Sequence, residues 1–197
     1  MAEKPKRISN ENKSVAKYLA TAFGGKPQVQ EYLHDTEPIS VDILWCSGRP
    51  CEGVTSYGTI GLSDTAMSWG EGEFPTRIEL VGACASKKNL FPNILASAAF
   101  CVMRTERLCY PGAVMPGYVR TYYRKSPLPH LYFTAPFLWA EKLKELDLGT
   151  KKVNWLLAVP ISEEEYRYLD QKGDEALEDL FEHRQIDIFD LNRPSVV

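Results

Sequence analysis

VTSYGTIGLSD, residues 54–64, is the stretch from which the rest of the chain is best approached. Residues 54–59 read as a strand, and 39–46 upstream as a better one. In the upstream strand Ile39, Val41, Ile43 and Trp45 fall on one face, Ser40 and Asp42 on the other. Ser47-Gly48-Arg49-Pro50 is turn chemistry, so the two strands pair antiparallel as a hairpin-like unit. Gly58 and Gly61 sit in or beside a bend, where backbone freedom or a close approach is needed. A phosphate cradle would need a helix opening directly after the glycines. Residues 64–75 hold Trp69, Gly70, Gly72 and Pro75 instead, and read as a long loop.

Working outward, 10–23 reads as a helix, with Val15, Tyr18, Leu19 and Ala22 at three- and four-residue steps and Gly24-Gly25 stopping it. A strand is expected at 28–34, and a clearer one at 76–84. There Arg77 and Glu79 alternate with Ile78 and Leu80, which predicts a solvated face or cross-strand partners; the two could also form a structural salt bridge or a buried functional pair. Residues 91–105 form a helix with Pro92 in its first turn and a stripe of Ile94, Leu95, Ala98, Val102 and Met103. Residues 109–136 are irregular and rich in proline and tyrosine, with short strands between turns. Aromatics interspersed with Arg120 and Arg124 also suit a protein-binding surface. The spacing predicts a short helix at 141–148, ended by Gly149.

Residues 153–159 are nearly all apolar, which predicts a strand buried on both faces and central in the sheet, ended by Pro160. Ser162-Glu163-Glu164-Glu165 is a capping box in which Ser162 takes the amide of Glu165 and the Glu165 carboxylate reaches back. These glutamates therefore have a structural task. A further helix is expected at 174–183, and the tail 186–197 is apolar enough to dock.

The 197 residues suit one domain, set here at 14–197 behind a flexible segment 1–13. No apolar run is long enough for a membrane span, and the basic N-terminus lacks the apolar region of a secretory signal. Five cysteines (Cys46, Cys51, Cys84, Cys101 and Cys109) lack paired spacing. They predict free thiols in a reducing, cytoplasmic setting, with no metal site. Net charge is −3, but residues 161–190 carry eleven acidic and three basic side chains and hence about −8. That stretch is either a solvated pair of helix faces or a surface for a basic partner. No dense Lys/Arg cluster favours nucleic acid. No nucleophile, acid–base or metal constellation is visible, so neither a catalytic residue nor a cofactor is assigned.

Four segments carry a resemblance: VTSYGTIGLSD, TRIELVG (76–82), VNWLLAVPISEEEY (153–166) and DIFDLNRPSV (187–196). In this order and spacing they resemble the suppressor of fused family, in its bacterial single-domain form. The carrying positions are Tyr57, Gly58, Gly61, Ser63, Arg77, Glu79, Pro160, Ser162, Glu165, Asp190 and Arg193. The resemblance implies an α+β domain with a mixed, mainly antiparallel sheet flanked by helices. It also implies a protein-binding role, in bacteria often that of an immunity protein against a partner toxin. In animal relatives the helix after R-x-E-L and the following loop touch the partner, which points here to Tyr110 and Met115. With Tyr118 from the aromatic middle and Asp174, Glu175, Glu178 and Asp179 from the acidic helix, these are the candidate partner-binding residues. The alternatives are a regulatory module that binds a peptide by strand addition, with an exposed sheet edge, and a small enzyme with a deep polar pocket.

Overall fold

A computed structural model describes residues 8–197 of the chain. Helix α1 (Asn10–Phe23) opens it, capped by the Ser9 hydroxyl, which accepts the Asn12 amide at 3.0 Å. Then come β1 (Gln28–Leu33), β2 (Ser40–Ser47) and β3 (Val54–Ile60). The loop that follows carries a small hairpin, β4 (Ser68–Trp69) with β5 (Gly72–Glu73), turning at Gly70. Next are β6 (Arg77–Ala85), α2 (Phe91–Thr105), β7 (Val114–Met115), α3 (Tyr118–Tyr122) and β8 (His130–Thr134). The chain ends with β9 (Leu146–Asp147), β10 (Lys152–Ile161), α4 (Glu163–Lys172), α5 (Asp174–Arg184) and a docked tail. Of the segment expected to be flexible, residues 1–7 lie outside the described residues, while Asn10 to Lys13 form the first turn of α1.

The main sheet runs β1-β2-β3-β6-β10-β8-β7, with β9 added on β10. Among the described residues only β6 and β10 pair in parallel; the other ladders are antiparallel. The α+β expectation therefore holds, including the central place of β10 between β6 and β8. Helices cover both faces, which is why all of β3 is buried. One core packs α2 (Phe91, Ile94, Leu95, Ala98) on Ile43, Leu80, Phe133 and Leu156. The other packs α1 (Val15, Leu19, Phe23) on Leu44, Val81, Trp155 and Leu157. Gly58 serves close approach: a Cβ there would lie 2.9 Å from Leu19 Cδ1 of α1. Gly61 serves backbone freedom, with φ at +103° where β3 turns away.

Three expectations are corrected. Residues 141–148 are not a helix: a 3-10 turn at Phe137–Trp139 leads to β9, which pairs with the start of β10. The tight turn at Gly149, whose amide donates to Asp147 Oδ1 at 2.7 Å, lets the backbone join the sheet, and this outweighs a local helical period. Pro160 does not end β10, which continues to Ile161; Pro160 pairs with Leu131 beyond the end of the β6 ladder, so its missing N–H costs no sheet bond on that side. Glu79 is not solvated but fully buried.

Candidate protein-binding surface

Two buried carboxylates organise the motif residues. Glu79 projects from β6 beneath the bend that ends β3. Its Oε2 accepts the Thr59 hydroxyl at 2.6 Å, and its Oε1 accepts the amides of Gly61 at 2.9 Å and Ser63 at 3.0 Å. Thr59 Oγ1 in turn accepts the Leu80 amide at 2.8 Å, which stitches the cage to β6. Burial pushes the Glu79 carboxyl up from its ordinary value, against the pull of those hydrogen bonds. Arg77 does not pair with it; its guanidinium turns to Glu73 at 2.8 Å and the Phe74 carbonyl at 3.2 Å. Tyr57 packs on Phe91 with ring centroids 5.6 Å apart, and burial pushes its hydroxyl up to about 12.

At the other end of the domain, the expected capping box forms. The Ser162 amide donates to Glu165 Oε2 at 2.9 Å, and the Glu165 amide to Ser162 Oγ at 3.0 Å. The tail then closes on it. Arg193 meets Glu165 in a bidentate pair at 2.6 and 3.0 Å and gives a further bond to the Pro160 carbonyl at 3.1 Å. The Phe181 ring lies 5.4 Å from the guanidinium, and Asp190 caps the turn that aims it by accepting the Asn192 amide. Pro160, Ser162, Glu165, Asp190 and Arg193 thus form one clasp between strand, helix and tail. Neither carboxylate is open to a substrate.

The candidate partner-binding residues occupy two sides of the β7–β8 edge. Tyr110 is exposed in the loop before β7; Met115 pairs with Leu131. On α5, Asp174 approaches Gly112 of that loop, 3.1 Å from where a Cβ would sit. Glu178 Oε1 accepts the hydroxyls of Tyr132 at 2.6 Å and Thr134 at 2.5 Å, both from β8. Tyr110 and the acidic helix are therefore brought to one edge through β8, a proximity invisible in their spacing. Tyr118 lies elsewhere, in a groove of about 620 Å³ between the end of β1 and α2–α3.

That groove also holds His34 and Cys101. His34 Nδ1 accepts the Glu37 amide at 3.2 Å, so it serves the local turn. Burial and a hydrogen bond to Cys101 push the Tyr118 hydroxyl up, away from a proton-transfer role near neutral pH. Among the described residues no group of three or more His, Cys, Asp or Glu side chains could hold a metal ion. No helix among them is long and apolar enough to cross a membrane. The five cysteines are free thiols, with Cys84 and Cys109 pushed up to about 12 by burial.

Two features escaped the sequence reading. Among the described residues strand β1 is a sheet edge, paired only with β2, and it exposes Val29 and Leu33. A hollow of about 480 Å³ lies between α5 and the sheet, with exposed Phe137 at its rim. Phe137 directly after Pro136 was the available signal for the second.

The model of the family described as Suppressor of fused protein matches residues 37–194. The chain belongs to that family. It is 41% identical over 190 residues to Immunity protein YqcF of Bacillus subtilis, covering 96% of this chain and 99% of the relative. Among solved structures, a putative suppressor of fused homologue from Neisseria gonorrhoeae superposes with a TM-score of 0.71 at 17% identity, over 95% of this chain and 97% of that one. The family member in a Sufu–Fu complex matches with a TM-score of 0.67 at 17% identity, covering 94% and 92%. Drosophila Suppressor of Fused matches at 0.58 and 14% identity; 99% of this chain covers 54% of the fly protein. At these identities the structures establish the shared fold, and the fly protein is the longer by nearly half its length.

Proposed function

We propose that this chain is an immunity protein that neutralises a partner toxin by stoichiometric, non-catalytic binding in the cytoplasm. The observation that carries the reading is the 41% identity to Immunity protein YqcF along nearly the whole of both chains. The arrangement of the motif residues agrees with it: the Glu79 cage and the Glu165–Arg193 clasp are closed by internal bonds and hold a scaffold. The partner surface in this reading is the β7–β8 edge with α5, formed by Tyr110, Met115, Asp174, Glu175, Glu178 and Asp179, with Tyr118 on the adjoining groove. Its negative charge suits a basic partner surface, steering encounter more than adding affinity. The test is co-expression with the toxin domain encoded beside it. Growth rescue and a complex that co-elutes are expected; loss of both sinks the reading.

A second reading, a module that binds a peptide by strand addition, is favoured by the free edge of β1. The outer side of β1, away from β2, has no strand partner among the described residues, and with exposed Val29 and Leu33 and a single charge, Glu31, it forms an unprotected template. Proline at Glu31, whose N–H points away from β2, blocks a ladder there, so unchanged binding by Glu31→Pro argues against this mode.

A further inference from the structure

Five carboxylates line α5 (Asp174, Glu175, Glu178, Asp179 and Glu182), and none is in an ion pair among the described residues. Asp174, Glu175 and Asp179 lie outside the hollow under α5, and Glu182 is an exposed part of its lining. Glu178 differs, because the sheet holds it. The hydroxyls of Tyr132 and Thr134 are buried, and both donate to Glu178 Oε1, which fixes the carboxylate at the wall of the hollow beneath α5. The nearby carboxylate, after burial itself, pushes the Tyr132 hydroxyl further up, so this donor stays protonated.

Apart from the exposed Glu182 and Gln185, the rest of the hollow is apolar. Val159, Phe181, Ile186 and Ile188 line it, and Phe137 stands half-exposed at the mouth. An apolar sleeve with one positioned carboxylate is complementary to a side chain with an aliphatic stem and a cationic head. A purely apolar guest would bring the carboxylate nothing and would strip its water. An acidic guest would meet Glu178 and Glu182 together.

We propose that this hollow receives an arginine or lysine side chain of the partner toxin, stem against Phe137 and Phe181, head on Glu178. This deepens the immunity reading and rests on it. It separates Glu178 from Asp174, Glu175 and Asp179 of α5: they contribute a long-range field, whereas Glu178, fixed by the sheet, makes a contact, with Glu182 nearby. Arginine is the better fit, since its guanidinium is planar and weakly hydrated and stacks on aromatic rings such as Phe137.

The test has two arms. In the first, methyl-labelled protein is titrated with N-acetyl-arginine-amide and, separately, with N-acetyl-norleucine-amide, a neutral stem without the cationic head. Arginine is expected to shift the Val159, Ile186 and Ile188 methyl signals with about fivefold tighter binding than norleucine, a partly exposed charge-assisted bond being the difference. Glu178→Gln, which keeps an acceptor for the two hydroxyls, is expected to erase that preference. Equal binding of the two probes, shifts elsewhere, or an unchanged preference in Glu178→Gln overturns the proposal.

In the second arm, Glu178→Gln and Phe137→Ser are co-expressed with the toxin, their folding checked by thermal melting. Both are expected to lower affinity at least tenfold and impair rescue. If both variants bind and rescue as wild type does, the hollow is not the toxin's anchor and the proposal falls while the immunity reading stands. If wild type itself fails to bind, that reading falls, and the proposed occupant with it. The first arm then still reports whether the hollow prefers a cationic side chain.

Discussion

Glu79 and Glu165 are both fully buried glutamates, each at the hinge of a motif, yet the domain stabilises them in opposite ways. Glu165 has a cation: Arg193 meets both its oxygens, and the capping box adds a main-chain bond. Glu79 has no cation and only neutral donors, the Thr59 hydroxyl and two loop amides. The difference follows from what each must hold. The clasp recruits a tail from 28 residues away, and a charged pair gives directional closure over that span. The cage holds a bend next to its own strand, where the backbone supplies donors at close range. A buried carboxylate in this family fold is therefore a fastener, and the kind of fastener depends on what is fastened.

The sharpest way to break the contrast is Arg193→Met. It leaves Glu165 buried without its cation and should cost about 3–5 kcal/mol, measured by urea unfolding. A loss below about 1 kcal/mol would show that water or the Ser162 amide can replace the guanidinium. Glu79→Ala orphans the Thr59 hydroxyl and the Gly61 and Ser63 amides together, for an expected loss of about 3 kcal/mol in the same measurement.

The Glu79 cage is also sensitive to pH. Because the folded-state pKa of Glu79 is raised, the folded chain binds its proton more tightly than the unfolded chain does. Stability from this group is full below its ordinary value of 4.5 and falls as pH rises toward its folded value. Comparing urea midpoints of wild type and Glu79→Gln across pH 4 to 8 isolates that slope, which should be present only in wild type. Parallel profiles would overturn the assignment.

Two smaller changes probe the parts around each carboxylate. Gly61→Ala forces an alanine into a left-handed backbone at φ +103° and should cost about 1–2 kcal/mol, seen as a lowered melting temperature. Ser162→Ala removes the helix cap and its contact to Ser195, for about 1 kcal/mol in the same assay. Were it to cost more than Arg193→Met, the cap rather than the ion pair would be the main closure of the tail.

The four motif segments carried the fold because their residues answer to local or ladder physics. The capping box, the nearly all-apolar β10 and the helix over residues 91–105 were all legible from spacing, although β10 runs past Pro160 to Ile161. The helix expected at 141–148 failed because β9 finds sheet partners in Lys152 and Val153, a long-range gain that a local period does not contain. For Glu79 the solvated alternative failed for a related reason, since helices cover both faces of the sheet, while the cross-strand alternative is met by Thr59 of β3.

Of the candidate surface, the acidic run and the aromatic middle were visible as composition, but their meeting at β8 was not. Tyr132 and Glu178 are 46 residues apart, and only the packing of α5 across the sheet joins them. The sequence by itself determined the class of fold, the strand and helix order, the cap and the family, because these depend on periodicity, turn chemistry and recurring motifs. Tertiary structure alone decided which carboxylates are spent on the scaffold and which faces outward. Burial and hydrogen-bond partners belong to positions in space, and residues distant in the chain set them.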